Sequence, residues 1–207
     1  MSRPDFQKAQ NCATDFLLQC RIKSLVFEPR DYDFSSSGII IDTIQNYAKI
    51  VRGNVTDFQG RNIDGCYVVK YNGFNIILYD ESLDHNTEHT VFGLTHELGH
   101  IFCGHRDDDG IEDSVKEVEA NFFAAQVLMP EIVVYHILQH YCSQGIDSFD
   151  LMGLFGVSYE AASKRIKTFN NKGFWNVSER DQLLLQRFIP FIKAHYANVI
   201  SSRSPAS

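Results

Sequence analysis

The chain of 207 residues has no C-x-x-C pair, and its five cysteines (Cys12, Cys20, Cys66, Cys103, Cys142) are odd in number and irregularly spaced. That argues against a disulfide framework and against a thiolate zinc cluster, leaving reduced core thiols. Cys103 lies three residues past His100, within reach of a metal or redox role, although an isolated cysteine is ordinarily packing. No apolar run approaches the roughly 20 residues that span a bilayer, which predicts no membrane association. The opening residues, Met-Ser-Arg-Pro-Asp-Phe-Gln-Lys, lack the apolar core of a signal peptide, so a cytoplasmic location is expected. A positive balance is also missing: 19 Lys and Arg against 26 Asp and Glu give a net charge of −7. An acidic chain is repelled by a phosphate backbone, so direct nucleic-acid binding is not the expected role.

What is present is ordinary globular material, 44% hydrophobic and 22% charged, patterned as helices around one β-rich stretch. Residues 5 to 26 carry Phe6, Ala9, Ala13, Phe16, Leu17 and Cys20 at helical spacing. Residues 39 to 52 read as a second helix, with Ile40, Ile44, Tyr47, Ala48 and Val51 on one stripe and Gly53 at its end. Two β-rich runs, 66–71 and 74–79, flank Asn72-Gly73, the strongest short hairpin signal. Helices are expected over 112–129, ended by Pro130, and over about 131–142. Residues 147 to 170 read as helix, turn, helix, with Gly156-Val157-Ser158 as the turn and Ser158 as N-cap. A last helix over about 179–199 is expected to kink at Pro190.

The predicted architecture is α+β: a mainly helical core with a small antiparallel hairpin sheet beside the central helix, plus helix-turn-helix-like C-terminal helices. Its expected divisions are an N-terminal helical segment (1–55), a core that holds the hairpin and the central helices (56–142), a C-terminal helical subdomain (143–200) and a flexible tail (201–207). Oligomeric state is not legible.

The chemistry concentrates at His96-Glu97-Leu98-Gly99-His100, an H-E-x-x-H pattern. Residues four apart on a helix share a face, so His96 and His100 can converge on one Zn2+ ion. Glu97, beside the first ligand, can reach a water at the open position and serve as general base. Phe92, Leu94, Leu98, Ile101 and Phe102 supply a stripe for burial, and Gly93 and Gly99 permit close approach.

For a third ligand, two acids compete. The helical neighbours of Glu119 are Val115, Val118, Phe122 and Phe123, which places its carboxylate on the buried stripe, where a bound cation would relieve the desolvation cost. Those of Glu117 are Asp113, Ser114, Ala120 and Asn121, and Glu117 is accounted for as partner of Ser114 in a capping box. Glu119 is therefore the expected ligand, making the metal set His96, His100 and Glu119. The run Asp107-Asp108-Asp109-Gly110 lacks the further ligands of a calcium loop and reads as a solvated turn. Tyr79, His105, Tyr135 and His136 are unranked candidates for stabilising an oxyanion. Lys164, Arg165, Lys167 and Lys172 could line a DNA-facing helix, but protein docking is the preferred reading of that segment.

Two motifs, Phe92-Gly-Leu-Thr-His-Glu-Leu-Gly-His100 and Glu117-Val-Glu-Ala-Asn-Phe-Phe-Ala-Ala-Gln-Val-Leu-Met-Pro130, resemble those of the ImmA/IrrE metallo-endopeptidases. The hairpin at 66–79 and the helix-turn-helix-like segment Leu151 to Arg165 are similar too. The resemblance implies that the carboxylate just before Ala-Asn, here Glu119, is the third zinc ligand. One departure is Val91-Phe92-Gly93, where many relatives have Arg-Phe-Thr. By implication the chain is a cytoplasmic zinc-dependent endopeptidase that cleaves a helix-turn-helix transcriptional repressor and so relieves repression. Two alternatives compete with it: a non-catalytic zinc-containing anti-repressor module, and the toxin of a toxin–antitoxin pair. An intact Glu97 favours the enzyme, since a structural zinc site needs no base beside its ligand.

Overall fold

In a computed structural model, the structure describes residues 3–59, 65–83, 87–106, 110–142, 144–172 and 177–203. The chain forms two compact units, residues 1–12 with 28–124, and residues 13–27 with 125–207. Among the described residues, eight α-helices and a three-stranded mixed sheet make it an α+β fold.

The first unit holds the sheet. Strands β1 (Ile39–Thr43), β2 (Cys66–Tyr71) and β3 (Phe74–Tyr79) lie in the order β1-β3-β2, with β1 parallel and β2 antiparallel to β3. The hairpin forms as its sequence predicts. Asn72 and Gly73 both take positive φ, 50° and 82°, and Tyr71 pairs with Phe74 across the turn. Strand β1 corrects the expected helix over 39–52. Ile39-Ile40-Ile41 pairs in register with Asn75-Ile76-Ile77, and helix α2 (Ile44–Val51) begins only after Thr43, whose hydroxyl caps it. The parallel pairing also ties this stretch to residues 66–79 rather than to a separate N-terminal segment. Ile44, Tyr67, Ile76 and Leu78 form a core beneath the sheet. Asp80, at the end of β3, accepts hydrogen bonds from Gln45, Gln59 and Ser82. Burial alone would raise its pKa, but these bonds outweigh burial and hold it below the usual carboxylate value.

Helix α3 (Thr87–Phe102) packs against β2 and β3 and is enclosed on most sides, with Leu94, Leu98, Thr95 and Gly99 buried. Each fully buried leucine contributes roughly 1.5–3 kcal/mol. Helix α4 (Asp113–Leu128) follows. A Cβ on Gly99 would stand 3.1 Å from the Ala120 backbone, so the glycine lets α3 and α4 approach closely. The Asp107–Asp109 run lies outside the described residues.

The second unit includes α5 (Glu131–Tyr141), α6 (Ser148–Phe155), α7 (Tyr159–Lys172) and α8 (Glu179–Arg203). Asp147 caps α6 in a capping box with Asp150, Gly156 ends it at φ 63°, and the Ser158 hydroxyl accepts from Ala161 at the start of α7. Pro190 lies within α8. The helix continues to Arg203, so residues 201–203 are helical rather than part of a loose tail. Among the described residues no single helix is long and apolar enough to cross a membrane, and the bent pair α4–α5 passes that test by length and composition only.

Candidate metal centre

Helix periodicity places His96 and His100 on one face of α3, and their Nε2 atoms stand 3.0 Å apart. The carboxylate that meets them belongs to Glu117. Its Oε2 is 3.2 Å from His96 Nε2 and its Oε1 is 3.3 Å from His100 Nε2. Among the described residues these three are the group of ligand atoms close enough to share an ion.

Glu119 is not with them. It is 4% exposed, as its apolar neighbours predict, but it points to the other side of α4. There Oε1 accepts from the Asp5 backbone N–H at 2.8 Å, and Oε2 pairs with His105 Nε2 at 3.0 Å. The expected ligand set therefore changes: geometry brings Glu117, not Glu119, to the two histidines. The physical reason is that desolvation at Glu119 is relieved by a backbone donor and an imidazole. Nor is Glu117 occupied as a capping-box partner, since its carboxylate faces the histidine pair. Its side chain is 56% exposed, as suits a ligand beside an open coordination position.

The outer nitrogens are fixed as well. His96 Nδ1 lies 3.1 Å from Asn121 Oδ1, an acceptor, so Nδ1 carries the proton and Nε2 presents a lone pair. Asn121 follows Glu117 by four residues, so one face of α4 supplies both a ligand and the residue that orients its neighbour. The sequence reading assigns Glu117 to a capping box and gives Asn121 no role. The i, i+4 spacing of Glu117 and Asn121 was the signal available. Burial, reinforced by His96, His105 and Lys116, lowers the His100 pKa to about 4, so this imidazole is neutral at pH 7.

The donor set fits one small divalent cation. Two imidazole nitrogens and a carboxylate packed at 3.0–3.3 Å repel one another unless a proton or a cation lies among them. Tetrahedral ligands at about 2.0–2.1 Å from an ion are themselves about 3.3 Å apart. All three residues line a cleft of about 1190 Å³, and Glu97, 9% exposed, lines the same cleft. Its far wall includes Cys66, Val68 and Lys70 of β2, an edge strand among the described residues.

The remaining candidates separate clearly. Cys103 is 3% exposed and burial pushes its thiol up to about 12, with Cys12 adding to the rise, so it is a packed thiol. His105 sits behind His100, with its Nδ1 3.0 Å from His100 Nδ1. Lys116 is buried at the cleft edge and donates to the Arg106 carbonyl at 2.5 Å. Tyr79, Tyr135 and His136 do not line this cleft. In the second unit Arg165 is buried, donating to the carbonyls of Ala125 and Met129 and to Gln126, rather than facing outward as a DNA-reading helix requires. Lys164 is exposed and paired with Glu160 at 2.7 Å.

A paired-histidine helix with an adjacent glutamate, completed by a carboxylate from the next helix at the foot of an edge strand, is a centre of the metallopeptidase type. The chain belongs to the family of the IrrE N-terminal-like domain, peptidase M78, whose model matches residues 50–167. Among curated proteins, none matches it.

Proposed function

We propose that the chain is a zinc-dependent endopeptidase that works in the cytoplasm and cuts a regulatory protein, a helix-turn-helix repressor, to relieve repression. The observation that carries the reading is the convergence of His96 Nε2, His100 Nε2 and the Glu117 carboxylate within 3.3 Å, beside Glu97 in one cleft. Two nitrogens and a carboxylate favour zinc over calcium or magnesium, which take oxygen ligands. The repressor as substrate rests on the family resemblance.

Bound there, zinc supplies Lewis acidity to the scissile carbonyl and makes a water acidic near neutral pH. The protein supplies the rest. Glu97 takes the proton of the attacking water and returns it to the leaving amine nitrogen. Asn121 holds the His96 ring in place through Nδ1. Strand β2 offers its outer backbone edge to an extended peptide, which would add to the sheet by main-chain hydrogen bonds. At about 1190 Å³ the cleft exceeds the usual 300–1,000 Å³ of small-ligand pockets, giving room for several peptide residues.

The test is metal analysis of the purified chain, followed by incubation with any helix-turn-helix repressor encoded beside its gene and mass mapping of fragments. One equivalent of zinc and a single cut, abolished by chelation, support the reading. Relief of repression that survives Glu97→Gln, with no fragment formed, identifies an anti-repressor module instead.

A further inference from the structure

Glu119 and His105 are among the most enclosed polar side chains near the cleft, 5% and 3% exposed, and the proposed chemistry uses neither. They are joined in a chain. The Asp5 N–H donates to Glu119 Oε1, Glu119 Oε2 meets His105 Nε2, and His105 Nδ1 meets His100 Nδ1, at 2.8, 3.0 and 3.0 Å. With both imidazoles neutral and Glu119 ionised, one proton arrangement satisfies every link. A carboxylate solely accepts, so His105 carries its proton on Nε2. Its Nδ1 is then a lone pair, which accepts from Nδ1–H of His100. That leaves His100 Nε2 bare, and it is this atom that faces Glu117 and His96.

The backbone is shaped for the link. Helix α3 ends in a left-handed Gly104, φ 71°, with His105 N–H returning to the His100 carbonyl and Gly104 N–H to Ile101. This closure turns the chain back so that the His105 ring lies against the His100 ring, centroids 5.1 Å apart.

We infer that Glu119 and His105 are positioning residues: a carboxylate–imidazole pair, anchored by the Asp5 backbone, that fixes the tautomer and orientation of His100 so that its Nε2 is free to bind the metal. Asn121 does the same for His96 by a single bond. The two histidines are thus held by unlike devices, one exposed and one-step, the other buried and two-step. Outer partners of metal-binding imidazoles commonly set affinity by 10–100-fold. The inference rests on the proposed metal role of His96, His100 and Glu117, but half of its test needs no metal.

The experiment uses the full chain labelled with 15N-histidine and stripped of metal. Two-bond 1H–15N spectra give each ring's tautomer, and His100→Gln assigns the His100 signals. Wild type is expected to show His100 as Nδ1–H. His105→Phe removes the acceptor, so Nε2–H should become populated and zinc affinity, measured by chelator competition, should fall 10–100-fold. His105→Asn keeps an acceptor near the Nδ1 position and should restore the Nδ1–H tautomer and most of the affinity, which a purely packing role would not do. Glu119→Gln, nearly isosteric, can accept only one of its two bonds; it should shift the tautomer the same way, and it carries the test if His105→Phe does not fold. His100 as Nε2–H in wild type overturns the inference. So does a variant set whose tautomer and zinc affinity stay within threefold of wild type. If the wild type binds no zinc, the proposed function fails, while the tautomer comparison still decides whether the pair governs His100.

Discussion

The α3–α4 pair and the α6–α7 pair look alike as sequence: two helices, a break, and charged residues on faces that apolar spacing does not explain. Their polar groups do opposite things. On α3 and α4, His96, His100 and Glu117 turn bare donor atoms toward an open cleft, backed by Asn121 and His105. On α7, Arg165 turns inward and directs its donors to the Ala125 and Met129 carbonyls and to Gln126, at the C-terminal end of α4, with Glu131 3.6 Å away. A buried charge whose partners are main-chain carbonyls braces a fold. One whose partners are titratable groups leading to solvent belongs to a site.

Two substitutions break this comparison if it is wrong. Glu97→Gln should cut peptide hydrolysis by about 10²–10⁴-fold, the usual worth of a general base, while metal content stays at wild type. A variant that retains full rate would show that another group takes the proton. Arg165→Ala should cost about 3–5 kcal/mol, since it strips donors from buried carbonyls and leaves Glu131 without its partner. Urea unfolding reads the loss, and the zinc stoichiometry of the folded fraction should not change. A shift under 1 kcal/mol would mean that water replaces the guanidinium.

The contrast also explains how much could be read from sequence. The H-E-x-x-H spacing and the Asn72-Gly73 turn are local devices, complete within a few residues, and both appear as expected. Strand β1 is not local: Ile39, Ile40 and Ile41 fit an i, i+4 stripe with Ile44 as well as a strand, and only pairing with β3, some 36 positions on, decides. The third carboxylate needs tertiary geometry. The polarity of helical neighbours puts Glu119 on the buried stripe, where it lies, and gives Glu117 to a capping box, whereas its carboxylate faces the histidine pair. Burial alone does not separate a ligand from a hydrogen-bonded partner such as Glu119 with His105. An ion that keeps a water must face the cleft, which Glu117 lines. Glu117→Ala should therefore weaken zinc binding by at least about 100-fold, given the loss of one of three protein ligands. Chelator competition measures it. Because the side chain is 56% exposed, the metal-free protein should unfold within about 0.5 kcal/mol of wild type. Zinc affinity unchanged by that variant would return the third position to Glu119.

The smallest effect tests the other helix pair. Lys164 and Glu160, 76% and 70% exposed, form an i, i+4 pair in which each charge is already well hydrated. Lys167 is exposed one turn further on, at i+3. With Arg165 turned inward, these lysines are the cations that α7 shows to solvent among its residues of described burial, on a chain of net charge −7. Replacing both with alanine should change stability by no more than about 0.5 kcal/mol. The same double variant should leave duplex DNA unshifted in a mobility assay at low salt, as should the wild type. A wild-type shift that weakens with salt and disappears in the variant would make α7 a phosphate-contacting helix, since each lost phosphate contact lowers the salt slope by about one. The two helix pairs would then differ in ligand rather than in kind, and bracing the end of α4 would be only one of two tasks for α7.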